Sequence, residues 1–467
     1  MLKNFMKKAI CAALTGAVLL TGVPVTAASA AGAAKPAKVQ KFEVSGFKQS
    51  DAEKEFEKDV LSTLENFGKE IDITKYVTTY GWSKKFVMTE YLDTLYDNPQ
   101  IFYVGKSIKY KSAGTESKGI TSAVLFEINY SFDKSQYAAK KAEVDKEFAK
   151  YVSYVSAGST DVEKALFAHD YLVNHITYDV DSMNNKATDA PVATTVYSAL
   201  VRRKAVCEGY AAAFKLAMNY FGIQSEVVTS EALNHAWNYI KIGGNWYHVD
   251  ATKDDPITAK NKVESFGQVQ HERFLVSDTA LRKLDYKGWE LRGLPAASST
   301  TYDKGFWQGV ESNIVKIKDK IYYLKLDQKS PGIIGPEAFR KTNPDNFNDN
   351  FFRIYTNLYE YSADSKKSVK LYTIDSTWYG WGKENASSKS WNAGTFASLG
   401  KNGSTLYFSD AKGIYKFDIK KAKPTTVKNL SKENGYCYGF VVEDGAIKYT
   451  VKKDAQEKDN FKKLTIA

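Results

Sequence analysis

From Asp51 to Gly68 charged and apolar residues alternate with a helical period that puts Phe56, Val60, Leu61, Leu64 and Phe67 on one face. A second helical stretch runs from Phe86 to Tyr96. "NPQIFYVG" then breaks the period at Asn98-Pro99 and turns extended, and "TSAVLFEINYSF", residues 121–132, reads as strand. A lysine-rich helix is expected over 134–155. Thr160 and Glu163 have the spacing of a capping box and open a helix that carries Leu166, Phe167, His169, Tyr171, Leu172 and His175. After Cys207, "EGYAAAFKLAMNYFGI" places Ala211, Phe214, Ala217, Met218 and Phe221 on one helical face, with Gly222 as the stop. Residues 234–252, "NHAWNYIKIGGNWYHVDAT", are two alternating strands around a Gly243-Gly244 hairpin turn.

Beyond Tyr302 the helical period disappears and tyrosine-rich, glycine-punctuated strands take over. "IKDKIYYLK" around Asp319, "KNGSTLYFS" around Gly403 and "VEDGAIKYT" around Gly445 superimpose as turn–strand units, their turns 84 and 42 positions apart. That spacing is blade-like, so the region is expected to be all-β, either propeller-like or a sandwich. A polar insertion, "GPEAFRKTNPDNFNDNF", covers the middle copy. The pattern divides the chain into a leader over 1–30, a helical and β region over 31–158 that starts with a small-residue linker, a compact α+β domain over 159–297, and a β-rich domain over 302–467.

The leader changes the picture of where the protein works. Lys3, Lys7 and Lys8 precede an apolar stretch from Ala9 to Val25, and Ala28-Ser29-Ala30 is a cleavage site of small residues. A secretory signal peptide is expected, hence a secreted protein, with no membrane insertion by any other segment. Cleavage would remove three lysines and no acids, taking the formal charge from +11 to +8. The remaining lysines are scattered, which argues against a nucleic-acid partner.

Cleavage also leaves Cys207 and Cys437 as the only cysteines, which excludes a disulfide framework. They lie in segments that read as separate domains, so no bridge between them is expected. Cys207 falls at a helix N-terminus, where the free backbone N–H groups and the helix dipole stabilise a thiolate and an oxyanion forming beside it. Such a nucleophile needs an imidazole and a group to orient it. With a two-residue turn at Gly243-Gly244, paired hairpin positions sum to 487, so Asp250 falls opposite Trp237 and diagonal to His235 on the same face. His235 is therefore the expected partner of the thiol and Asp250 its orienter. His248 shares the face but lies nearer the turn, and reads as a half-buried structural histidine.

The remaining polar positions carry less. Glu208 reads as a favourable first-turn charge and Tyr210 as packing. Asp254 and Asp255 before Pro256 read as solvent-facing. His169 and His175 are six residues apart and do not share a face, and His271 has no partner that the sequence identifies. With no C-x-x-C pair, no H-E-x-x-H and no glycine-rich phosphate loop, neither a metal nor a nucleotide cofactor is expected.

The strings "VYSALVRRKAVCEGYAAAF", "NHAWNYI" and "WYHVDAT" followed by "DDP" resemble the transglutaminase-like superfamily, in which Cys, His and Asp occur in this order. The resemblance covers about residues 160–275, and "DNPQIFYV" and the tyrosine-rich tail are similar to regions of exported bacterial members. It implies a papain-like core and a Cys-His-Asp triad of Cys207 as nucleophile, His235 as acid/base and Asp250 as orienter. It further implies a cysteine protease, deamidase or amine transferase acting on peptide or glutamine amide bonds through an acyl-enzyme. Water and amine remain equally open as acceptors. The partner would be a protein or peptide substrate, including one at the cell wall. The alternative is a non-catalytic cell-surface or wall-binding protein that keeps the scaffold.

Overall fold

The computed structural model describes residues 50–184, 190–256, 266–329, 332–333, 351–379, 396–454 and 457–466. The leader, the linker and nearly all of the polar insertion lie outside the described residues. Helix and sheet are mixed as expected, and the chain forms two compact units, each assembled from three segments.

The first unit comprises the described residues up to Ser153 together with Asp181–Val249 and Ser277–Ser299. Its first helix, Asp51–Glu65, starts at a full capping box: Glu53 N–H donates to Ser50 Oγ, and Ser50 N–H to Glu53 Oε2. It buries Phe56, Val60 and Leu64, the period read from the sequence. Helix Lys84–Asp97 is capped by Ser83 and packs on the first helix. Strands Glu70–Asp72, Gly119–Phe126 and Lys109–Thr115 make a small antiparallel sheet beside them.

The larger sheet of this unit runs antiparallel from Trp289–Glu290 through Ser225–Ser230 and His235–Ile242 to Asn245–Val249. The hairpin has the expected register, with Ile242 opposite Asn245 and Asn238 opposite Val249, all summing to 487. Gly243 and Gly244 at its turn have φ of 56° and 83°, the left-handed region open to glycine at no steric cost. Helix Cys207–Tyr220 packs across strands Ser225–Ser230 and His235–Ile242.

A buried charge network ties the N-terminal helices to this core. Lys215 on the cysteine helix lies 2.9 Å from Asp97 and 2.6 Å from Glu226, and Arg292 lies 3.1 Å from Asp93 and 2.9 Å from Asp97. Burial would raise the Asp97 carboxyl, but Arg292 and Lys215 outweigh it and hold it low. Burial prevails at Asp93, pushed up to about 6, and at Glu90, pushed up to about 9 with help from Asp93 and Glu53.

The second unit comprises Tyr154–Val180, Asp250–Val276 and the residues from Thr300 onward. Its helix Asp161–His175 begins at Thr160, whose Oγ accepts from Glu163 N–H. The Glu163 carboxylate reaches one residue further back than a capping box requires, accepting from Ser159 N–H at 2.6 Å.

Three antiparallel sheets follow, and each of the three turns aligned in the sequence joins the first two strands of a different sheet. Val315–Ile317 turns into Lys320–Leu326, Leu399–Asn402 into Thr405–Asp410, and Tyr436–Glu443 into Ala446–Lys452. The first turn residues, Lys318, Gly403 and Asp444, share φ near 50° (56°, 56° and 49°). Strand Thr405–Asp410 is buried on both faces: Leu406 and Phe408 join the core shared with the first sheet, and Tyr407 the core shared with the third. The sheets are open, and no closed barrel forms among the described residues.

Candidate functional site

Cys207 is the first residue of its helix, 8 % exposed, and is grouped with Ala211, Val227 and Ala236 in one buried cluster against which Tyr96 packs. The N–H groups of Gly209 and Tyr210 turn back to Val206 O, so the donors at the very start of the helix are those of Cys207 and Glu208. The approach to the cysteine is locally unusual. Ser198–Arg202 forms a π-turn, closed by Arg203 at φ 57°, and Val206 N–H donates to Ala193 O. Gly209 is required by this crossing: a Cβ there would lie 2.7 Å from Ala205 Cβ and 2.8 Å from Ala193 O.

His235 opens its strand, following Asn234 in the left-handed conformation at φ 45°. Its ring is 9 % exposed and stacks on Trp237, centroids 5.6 Å apart. The cysteine helix and this strand run in matched steps: Asn238 donates to Ala211 O, and one turn toward the helix start Cys207 shares its cluster with Ala236. Cys207 and His235 are thus brought to the same end of the first unit's sheet. Strand alternation directs Ala236 and Asn238 to the helix side and His235 and Trp237 to the other, so a meeting of thiol and imidazole depends on the freedom of a strand's first residue.

Asp250 directly follows Val249, the last paired residue of the hairpin, and belongs to the second unit. It is 1 % exposed, its carboxylate accepts from Lys253 N–H at 3.0 Å, and its own N–H donates to Arg273 O.

His248 is fully buried and occupied at both nitrogens. Trp237 Nε1–H donates to Nδ1 at 3.0 Å, so the ring proton sits on Nε2 and faces Asp278 Oδ1 at 2.8 Å. Burial would raise the Asp278 carboxyl, but the His248 hydrogen bond brings it below its ordinary value. The structural reading of His248 fits these contacts, although it is wholly buried and not half-buried.

Several sequence expectations need correction. Glu208 lies in the first turn, but it also pairs with Lys106 at 3.2 Å, whose ammonium sits 3.6 Å from the centre of the Tyr96 ring. Tyr96 and Lys106 line a pocket together with Pro99, Ile101, Thr195, Ala212 and Val227. The "DNPQIFYV" segment therefore furnishes walls beside the cysteine cluster, a role its sequence did not signal. Asp254 and Asp255 are buried, not solvent-facing. His271, for which the sequence offered no partner, bonds Asp170 Oδ1 through Nε2 at 2.9 Å and Val310 O through Nδ1 at 2.9 Å. His169 bonds the same Asp170 oxygen at 3.0 Å and Asp254 Oδ2 at 3.2 Å. Burial alone would lower the His169 ring, but its hydrogen bonds to Asp170 and Asp254 push it up to about 9. Ligand-type atoms of His169, Asp170 and His271 all lie within 4.8 Å of one another.

A helix opened by a buried cysteine and laid across an antiparallel sheet whose histidine strand starts at the same end is the arrangement expected of a transglutaminase-like core. Residues 148–251 match the family model described as the transglutaminase-like superfamily. Among curated proteins, the chain is 25 % identical to the kyphoscoliosis peptidase of Mus musculus over 230 residues, 43 % of this chain and 34 % of that protein. It is 27 % identical to the kyphoscoliosis peptidase of Homo sapiens over 154 residues, 28 % of this chain and 22 % of that protein. The chain thus spans about a third or less of the length of these relatives. Among solved structures, one described as a TGase is 18 % identical, covering 32 % of this chain and 44 % of that chain at a TM-score of 0.23. A putative cysteine protease from Cytophaga hutchinsonii is 17 % identical, covering 32 % and 62 %, at a TM-score of 0.20.

Proposed function

We propose that this protein is an exported thiol enzyme that cleaves or transfers acyl groups at peptide or glutamine amide bonds, with Cys207 as nucleophile, His235 as acid/base and Asp250 as orienter. The observation that carries the reading is the placement of Cys207 at the start of a buried helix that packs on the strand His235 opens. The Cys207 thiolate attacks the amide carbonyl, and the C–N bond breaks as the His235 imidazolium protonates the departing nitrogen. The Cys207 and Glu208 N–H groups are the donors for the oxyanion. Water or a second amine then attacks the thioester carbonyl, His235 takes its proton, and the thiolate is released. Asp250 is assigned by extending the parity of the hairpin register one residue beyond Val249, the last paired position. Export rests on the leader motif, and no helix among the described residues is long and apolar enough to cross a membrane.

The test is mass spectrometry of the protein incubated with a mixed peptide pool and a labelled primary amine. Label on glutamine side chains marks transfer, unlabelled deamidation or cleavage marks hydrolysis, and both must vanish in Cys207→Ala. A peptide pool left unchanged by fresh protein would turn the assignment to a scaffold that binds without chemistry.

A further inference from the structure

In the second unit the helix Asp161–His175 and the segment following Asp250 bury two histidines, both 0 % exposed, around one carboxylate, at a place the thiol chemistry does not use. Each nitrogen of the two rings faces an oxygen. His169 has Asp170 Oδ1 on Nδ1 and Asp254 Oδ2 on Nε2, and His271 has Val310 O on Nδ1 and Asp170 Oδ1 on Nε2. Filling all four contacts with protein hydrogens alone takes an N–H on every ring nitrogen, which makes both buried rings imidazolium. Both carboxylates are also held from outside the histidine pair: Ile314 N–H donates to Asp170 Oδ2, and Arg273 donates to Asp254 from its backbone N–H and from Nη1.

We propose that His169 Nδ1, His271 Nε2 and Asp170 Oδ1 bind a divalent transition-metal ion, zinc foremost, as a structural site of the second unit. The donor arithmetic then closes. The ion takes the inner nitrogen of each ring, and the one remaining N–H of each points outward, from His169 to Asp254 and from His271 to Val310 O. Those are the carboxylate and carbonyl partners that metal-bound imidazoles use to fix tautomer and orientation. Ile314 N–H holds the Asp170 carboxylate in the same way. One divalent cation stands in place of the two protons the rings would otherwise share with Asp170, so the charge of the buried cluster is unchanged by the exchange. Two imidazoles and a carboxylate suit zinc. The site draws on residues 169, 170 and 271, with outer partners at 254, 310 and 314, so metal capture would join all three segments of the unit.

The test is the metal content of the full chain, expressed without a histidine tag in zinc-supplemented medium and dialysed against chelator before elemental analysis. Because the ligands are fully buried, the expected result is about one zinc per chain that survives the chelator, with release only on unfolding. Cobalt-grown protein should show the visible absorption of a low-coordinate nitrogen/oxygen site. His271→Asn should lose the metal and melt several degrees lower, whereas His175→Asn should keep it. A chain holding under about a tenth of an equivalent of any transition metal would overturn the proposal, whatever the variants do. So would zinc retained undiminished in His271→Asn.

Discussion

His235 and His248 occupy one hairpin and share its parity, yet their surroundings separate them. His248 is spent between the Trp237 indole and Asp278, so His248→Gln should leave the thiol chemistry intact and cost roughly 1–3 kcal/mol of stability for the partners left unpaired in the interior. Asp250→Asn should do the opposite. Unfolding midpoints should hardly move, while turnover falls by about 10⁴, as when the orienting carboxylate of a triad is replaced. Urea unfolding and turnover measured on both variants check the pair, and the reversed result would move the acid/base role to His248. The cysteines divide as sharply. Burial pushes the Cys437 thiol up to about 11, and the side chain is 0 % exposed. Iodoacetamide at neutral pH should therefore modify Cys207 and spare Cys437 in the folded protein, as read by peptide mass spectrometry before and after denaturation.

At the scale of elements, the cysteine helix and the hairpin were legible because their determinants are local. A 3.6-residue apolar period, a two-glycine turn and strand alternation fix which residues share a face, and the observed register is the one these imply. What lay hidden was pairing at a distance. Asp170 and His271 meet across 101 positions and Lys215 and Asp97 across 118, and no period or motif relates such pairs. Asp254 and Asp255 read as solvent-facing because adjacent carboxylates at a turn usually are. Here Arg273 and His169 meet Asp254 in the interior.

The helix Lys84–Asp97 carries a consequence of the same kind. Glu90 is buried beside Asp93 and is protonated in the folded state up to about pH 9, whereas in the unfolded chain it ionises near ~4.3. Between those values the folded state binds more protons than the unfolded one, so the Glu90 contribution to stability is full below about pH 4 and is lost as pH rises toward 9. Glu90→Gln, which mimics the protonated side chain, should raise the urea midpoint at pH 8 and leave it unchanged near pH 4.

At the scale of the whole molecule, all proposed catalytic residues lie before Pro256, which would make the β-region beyond Thr300 a candidate for removal. The second unit argues otherwise. Asp170 takes a hydrogen bond from Ile314 N–H, His271 gives one to Val310 O, and the Trp307 indole donates to Phe274 O. A chain ending at Ala297 should leave these buried groups unpaired and lose the cooperative packing of residues 154–180 and 250–276. Near-UV circular dichroism and amide hydrogen exchange read that loss directly. A truncated chain with native exchange protection in the helix Asp161–His175 would show that the β-sheets are dispensable after all.

The stitching of each unit from three separated segments also sets an order of events during biosynthesis. A ribosome delivers the chain from its N-terminus, so when Cys207 emerges, the strand at Trp289–Glu290 and the Arg292 that neutralises Asp93 and Asp97 are still unmade. The second unit waits longer, until its last sheet is synthesised. A nascent or translocating chain therefore presents the cysteine without its finished surroundings, and the thiol should stay chemically quiet until the tail has followed it out. Under the export proposed above, such an arrangement would delay activity until the whole chain has crossed the membrane.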